Sequence, residues 1–401
     1  MKKKKHTPIF FIAKTALVLF FVCSCNYQLL AQTIMTVDPI QREKILFSEI
    51  FDSVRYVKLE TTEDLLIRGM RGVQAMKYSN NRIYILSRST ETLFSFDANT
   101  GKCLWKIQDF DQCPSGYNQP RDFDIDERNN RLYVLIGSGK IQEYDLYGSF
   151  VKEYNTQVSG SFIASKDDYL YIYASNTSNM INAQRGLYYL LIYNKNTGSL
   201  KGTLPFEDNA NLGTTRVYGL LARAFYHYNN EVRFFTPYSQ NIYSIKGNQE
   251  EIAYQFDFGK YNLPNNLSNY SSFEELDKIP YVYGLNSVWE NGQYLSMAIQ
   301  TPFLPPGGIQ TLYSKQNKQV RVGGFFDDVG YIFPWIALAT DDFVLGYKPT
   351  EDIFRAVDAI KAANRLSDSE GALLQKIASE MTEKDNPIIL FYYFKNRAHA
   401  P

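Results

Sequence analysis

Histidine is nearly missing from this chain, at three residues in 401. His6 lies in a basic leader and His399 among the last residues, so only His227 falls where folded structure is expected. That scarcity argues against most acid–base and metal chemistries. Cysteine is sparse too: of four, Cys23 and Cys25 stand at the end of the leader, leaving Cys103 and Cys113 for the folded part. Neither Gly-x-Ser-x-Gly nor P-loop spacing occurs, so serine-hydrolase and nucleotide readings lack support, and no motif calls for a cofactor. An excess of one charge is also absent, with 42 basic and 42 acidic residues. Removing residues 1–24 takes away five lysines and no acid, leaving a net charge of −5. A mildly acidic chain has no electrostatic reason to bind nucleic acid. The apolar run Ile9–Val22 is broken by Lys14 and is too short to span a membrane comfortably.

What the leader does contain is an export signal: Lys2 to Lys5, then the apolar run. Two processing sites compete. Val22-Cys23-Ser24-Cys25 has the form of a bacterial lipobox, with Cys25 as the lipidated residue; Ala31 offers ordinary cleavage after Leu29-Leu30. The lipobox is favoured because the apolar run ends at Cys25 and not at Ala31. Residues 1–24 are then a signal peptide and residues 25–44, polar and unpatterned, a flexible tether. Membrane attachment would come through lipid on Cys25 alone. Cleavage at Ala31 would instead leave a soluble periplasmic protein. An oxidising compartment permits a Cys103–Cys113 disulfide closing a short loop, or the two remain separate thiols.

The chain is rich in aromatic residues, with 31 Tyr and 27 Phe, which suit strands. They recur in one phrase, a polar pair followed by an alternating Tyr/aliphatic strand. The copies read Asn80-Asn-Arg-Ile-Tyr-Ile, Asn129-Asn-Arg-Leu-Tyr-Val, Asp167-Asp-Tyr-Leu-Tyr-Ile, Asn229-Asn-Glu-Val-Arg-Phe, Asn291-Gly-Gln-Tyr-Leu-Ser and, faintly, Asp341-Asp-Phe-Val-Leu-Gly. Five of them continue into a second hairpin, as in Leu93 to Asp97, the turn Ala98-Asn-Thr-Gly101 and the strand Lys102 to Ile107. Six turn-plus-strand units at 38 to 62 residue spacing indicate a radial β-repeat, whose size grows by repetition. The spacing predicts an all-β, six-bladed β-propeller of four-stranded antiparallel blades over residues 45–396, with 397–401 as a tail. Insertions at Ser175 to Arg185, Asn209 to Arg216, Asn262 to Pro280 and Thr301 to Gly308 lengthen particular blades.

The sixth unit departs after Tyr347. Thr350 can cap a helix to about Leu366, and Ser367-Asp-Ser-Glu370 has capping-box spacing ahead of Leu373, Leu374, Ile377 and Met381. Pro387 to Phe394 then reads as a closing strand. The last blade is therefore expected to carry two inserted helices, with Val54 to Leu59 supplying its outer edge, so both chain ends close the ring.

Together these features resemble the six-bladed β-propeller lipoproteins of bacteroidal bacteria, relatives of the NHL-type propellers. The phrases that carry the resemblance are Val54-Arg-Tyr-Val-Lys-Leu-Glu-Thr-Thr62, Asp122-Phe-Asp-Ile-Asp126 and Lys384-Asp-Asn-Pro-Ile388. Where that family usually has Gly-Pro-Gly-Glu-Tyr, this chain has Cys113-Pro-Ser-Gly-Tyr117. The resemblance implies a fold and an envelope location; the family's biochemical role is largely unassigned, so it carries over no catalytic residues. Asn26-Tyr-Gln-Leu lacks the acidic run of bacteroidal surface lipoproteins, which favours the periplasm-facing side of the outer membrane.

Asp122, Asp124 and Asp126 are spaced like the start of a Ca²⁺ loop, but Glu127 and Tyr133 stand where Gly and a bidentate acid are required. On a strand the three carboxylates share a face, with Phe123 and Ile125 on the other, which reads as a solvated or channel-facing edge. Asp122 and Asp124 are the weak candidates for a channel metal, and the other inner strands add mainly Gln74, Ser161, Arg223 and Asn286. His227 has no orienting carboxylate near it in sequence and reads as structural. Phe303, Leu304 and Pro305 form a stiff apolar loop tip, either a partner-binding element or packed on its own blade. The expected function is a non-catalytic, envelope-anchored binding or scaffolding propeller, monomeric, for a glycan, peptide or protein. The alternative is a hydrolase or lyase of lactonase type with a divalent cation in the channel.

Overall fold

In the second strand of a blade, successive side chains leave on opposite faces, and here both faces are buried. Ile83 and Ile85 pack with Leu345, Ile389 and Phe391 on one side, while Tyr84 and Leu86 pack with Phe123, Leu132 and Val134 on the other. The same division separates Leu132 and Val134 from Tyr133 and Leu135, and Leu170 and Ile172 from Tyr171 and Tyr173. The alternating Tyr/aliphatic phrase is thus the sequence of a strand sandwiched between two neighbouring sheets. Among the described residues the apolar core falls into six clusters, one at each boundary between adjacent sheets.

The computed structural model describes residues 33–67, 72–108, 119–137, 139–174, 177–205, 223–236, 239–264, 278–301, 309–362 and 371–395, together with 110, 272 and 275. They form six sheets, as the repeats predict. The innermost strands are Val73–Ser79, Pro120–Asp126, Phe162–Lys166, Phe225–Tyr228, Gly284–Glu290 and Trp335–Ala339 in blades one to six. The polar pairs are the turns that leave these strands. Asn80 and Asn81 have φ of 49° and 58°, and Asn229 and Asn230 have 49° and 61°. Positive φ at both central residues is the type I′ requirement that Asn tolerates, and these two pairs meet it, while Asn130 and Asp167 each carry one positive φ in theirs.

Blade six closes the ring. Ile388–Phe394 lies between Phe343–Lys348 and Phe51–Lys58, with Ile388 opposite Lys58 and Phe394 opposite Phe51. Two family-like phrases meet there. Asn386, 1% exposed, accepts from Ile67 N at 2.7 Å and donates to Glu60 O and Leu65 O, while its own N–H reaches Thr61 Oγ1. Helices Thr350–Ala362 and Ala372–Ser379 fall between the last two strands of this blade's chain segment and bury Ile353, Val357, Leu374 and Ile377 against it. The capping box expected at Ser367 lies outside the described residues.

The expected tether needs correction. Of residues 25–44 the described part, 33–44, does not hang free. Thr33–Thr36 adds a parallel fifth strand to blade four, and Glu43–Leu46 adds one to blade five. A short helix, Phe47–Ile50, then leads into the closing strand. Outer strands present unpaired backbone groups, and this strap satisfies two of them. Blade three is also five-stranded, through the added hairpin strand Ser178–Ile181, so three blades exceed the expected four strands. The strap depends on close approach at Gly323, where a Cβ would stand 1.9 Å from Glu43 O. Ion pairs from Arg321 to Glu43 and Glu49 hold it alongside. Replacing Gly323 with Val should therefore lift the strap, giving faster tryptic cleavage at Arg42 and Lys44 and a stability loss of about 1–3 kcal/mol. Unchanged protection of both sites would contradict this account.

Candidate functional site in the central channel

An innermost strand has one edge paired within its blade and one edge facing the channel. The channel-side N–H groups need acceptors. In blade three they find the carboxylates of blade two: Asp122 Oδ2 accepts from Ile163 N at 3.0 Å, and Asp124 Oδ2 from Ser165 N at 2.7 Å. Phe123 and Ile125 point the other way into the core, as alternation predicts. The three aspartates are buried, at 7%, 1% and 7% exposure for Asp122, Asp124 and Asp126. Of the two readings, a solvated or a channel-facing edge, burial leaves the channel-facing one. Asp122 and Asp124 stand in for the carbonyls of a missing strand.

Asp124 is the hub. Besides Ser165 N it accepts from Ser165 Oγ at 3.1 Å, from Lys77 Nζ at 2.8 Å and from His227 Nε2 at 2.8 Å. These donors come from blades one, three and four, so one carboxylate ties four blades together. Burial alone would push its acidity down. The charges and hydrogen bonds of His227 and Lys77 outweigh that and hold its carboxyl well below the ordinary range. Asp122 shows the opposite balance. Burial raises it to about 6, only partly opposed by Lys77, the Ile163 N–H and Arg223. Asp126 turns toward its own loop, accepting from Asn129 and lying 3.8 Å from Lys195.

A cavity of about 800 Å³ opens at this end of the channel, among the last residues of the inner strands and their turns. Its walls differ in character. Blades one to four contribute Lys77, Asp124, Glu127, Lys166, Arg223 and His227, while blades five and six contribute Val288, Ile336, Ala337 and Leu338 beside Glu290. Arg223 crosses to blade six and donates to Ala337 O. At the boundary of blades four and five sits a second buried carboxylate, Glu290. It accepts from Tyr226 Oη at 2.8 Å and Tyr254 Oη at 2.5 Å, and pairs with Lys315 at 2.6 Å. Lys315 in turn lies 3.6 Å from the centre of the Tyr228 ring. Burial and the Glu290 charge push both phenols upward.

Of the residues singled out from sequence, Asp122, Asp124, Arg223 and His227 meet here. His227 does have an orienting carboxylate, contributed by a residue 103 positions earlier. Gln74 bonds instead to the Pro120 carbonyl of the next blade at 3.3 Å. Cys103 is half-buried on an outer strand, with its thiol 3.5 Å from Trp105 O. Cys25, Cys113, and the loop residues Phe303, Leu304 and Pro305 lie outside the described residues. Lys77, Lys166, Tyr226, Tyr228 and Glu290 were not singled out. The available signal was a charged side chain interrupting an otherwise apolar inner strand, as in Met76-Lys77-Tyr78.

A family model described as a domain of unknown function, DUF4934, matches residues 32–393. Among solved structures, the chain is similar to a Bacteroides fragilis protein described as a "Putative exported protein". The TM-score is 0.70 at 17% identity, covering 91% of this chain and all of that one. A member of the DUF4221 family from Bacteroides vulgatus is more distant, with a TM-score of 0.47 at 9% identity, covering 86% and 97%. No curated protein matches.

The two aspartates should titrate stability in opposite senses. Asp122 binds its proton more tightly folded than unfolded, so its contribution is present in acid and is lost as pH rises from about 4 to about 6. Asp122→Asn should thus gain stability relative to the parent over that window, by up to about 3 kcal/mol. Asp124 is held ionised, so its contribution is present at neutral pH and is lost as pH falls below the ordinary carboxyl range. Asp124→Asn should cost about 3–5 kcal/mol at pH 7. Urea unfolding of both variants across pH would test this; parallel pH curves for variants and parent would refute it.

Proposed function

This chain belongs to the DUF4934 family, and on that footing we propose that it is an exported, envelope-held binding propeller which captures a ligand in its channel without transforming it. The observation that carries the reading is the state of Asp124. Its oxygens already accept four hydrogen bonds, three on Oδ2 and one on Oδ1, so the carboxylate is committed to donors of three other blades. His227 donates to that same carboxylate, and no serine, threonine or cysteine is hydrogen-bonded to the ring among the described residues. The dyad is therefore built as a brace. An 800 Å³ cavity with one polar and one apolar wall has the size and character of a small-molecule site.

The lactonase-type alternative needs carboxylates open to a cation. Asp122 and Asp124 are aimed at N–H donors of blade three, and a cation would have to displace them along with Lys77. Export and lipid attachment rest on the leader and on Cys25, with the exported description of the B. fragilis protein in the same direction. Seven residues lie between Cys25 and Thr33, a reach of at most about 29 Å over the eight steps. A lipid on Cys25 would thus hold the blade-four rim close to the membrane.

Two measurements test this reading. Millimolar Ca²⁺ or Mg²⁺ should leave the melting temperature unchanged, because a native-state ligand must raise it; a rise that Asp124→Asn abolishes would restore the hydrolase. Metabolic palmitate labelling should mark the parent and spare Cys25→Ala. Absence of label in both would return the processing site to Ala31.

A further inference from the structure

The channel holds more donor capacity than its own acceptors use. Arg223 carries five N–H groups, and among the described residues its one hydrogen bond is to the Ala337 carbonyl. It forms no ion pair within 4 Å with any described carboxylate, and Asp122 faces it only at longer range. Lys77 uses one of three donors, on Asp124 Oδ1, and His227 uses one ring nitrogen, on Oδ2 of the same group. Because Lys77 and His227 bind the two oxygens of one carboxylate, they stand side by side. Arg223 precedes His227 by four residues in the same segment and therefore lies deeper in the channel. The neighbouring carboxylates are already engaged: Asp124 accepts four hydrogen bonds, Asp126 faces Asn129 and Lys195, and Glu290 is held by Tyr226, Tyr254 and Lys315. Glu127 is exposed at the rim, which keeps a negative group from settling there and favours a position below it.

On the side to which Arg223 reaches, blades five and six present a largely aliphatic wall, with Val288, Ile336 and Leu338 half-exposed to the cavity. A guanidinium removed from water without a counter-charge is costly, and a carboxylate that pairs with it in two parallel hydrogen bonds recovers that cost. An apolar wall of this kind gives a charged head nothing and a hydrocarbon body a place to lie.

We propose that the channel binds an amphipathic carboxylate, its head between Arg223 and the Lys77–His227 pair and its apolar body along the wall of blades five and six. This rests on the channel reading given above. A carboxylate head occupies a small part of about 800 Å³, so the body is of medium length or carries a ring.

Isothermal titration of the intact protein with octanoate, octylamine and octyl glucoside tests it. Octanoate should bind, octylamine should not, and octyl glucoside should bind more weakly than octanoate. Arg223→Gln should weaken octanoate by at least about tenfold, and Arg223→Lys by less, since it keeps the charge without the fork. If Arg223→Gln does not fold, Lys77→Met gives the same comparison nearer the mouth. Octanoate binding that neither variant weakens would overturn the proposal. Binding of octyl glucoside alone, lost on Leu338→Glu, would overturn the anionic class while leaving a channel site in place. Binding of none of the three would overturn both.

Discussion

A ring of sheets has two ends, and its stability rests on how they are joined. Here the join is antiparallel pairing of Phe51–Lys58 with Ile388–Phe394, seven paired positions within one blade. Neither segment could bury its apolar face alone, and each supplies what the other leaves open. Asn386 locks the geometry by satisfying backbone groups of residues 60, 65 and 67 from a fully buried position. A channel with a fixed cross-section exists only because this join holds, since every cluster of the core touches two blades and none is self-sufficient.

Inside that ring the same problem recurs at smaller scale. Six inner strands turn a backbone edge toward the axis, and the chain must satisfy those edges without filling the space. Blade two does it with carboxylates and blade one with Gln74, and His227 of blade four reaches past blade three to brace the Asp124 carboxylate. Charge enters the channel for a structural purpose and then sets its chemistry. Asp122, less well compensated than Asp124, marks where the balance is loosest, and Arg223 faces it only at longer range.

The architecture was legible because it is periodic. A polar pair with positive φ, then alternating large side chains, is written locally and repeated, so blade number, order and even the closing strand could be read from residues 54–62 and 384–394. The outer strap was not legible. Residues 33–46 carry no strong alternation, and they become strands only because blades four and five offer open edges to pair with. The short span Glu43–Leu46 has β-structure by docking, with Gly323 leaving the room for it.

The site was legible in part. Asp122, Asp124, Arg223 and His227 could each be picked out as polar residues on predicted inner strands. Their relations could not, because residues 77, 124 and 227 belong to three blades. Local alternation is encoded within a few residues and survives reading in one dimension; it determined the six sheets and which side chains face the axis. Which of those side chains meet depends on the angular spacing of whole blades and on the reach of Lys, Arg and His across an open centre. That is a property of the closed ring, and so His227 gained its carboxylate, and Asp124 its four donors, only on folding.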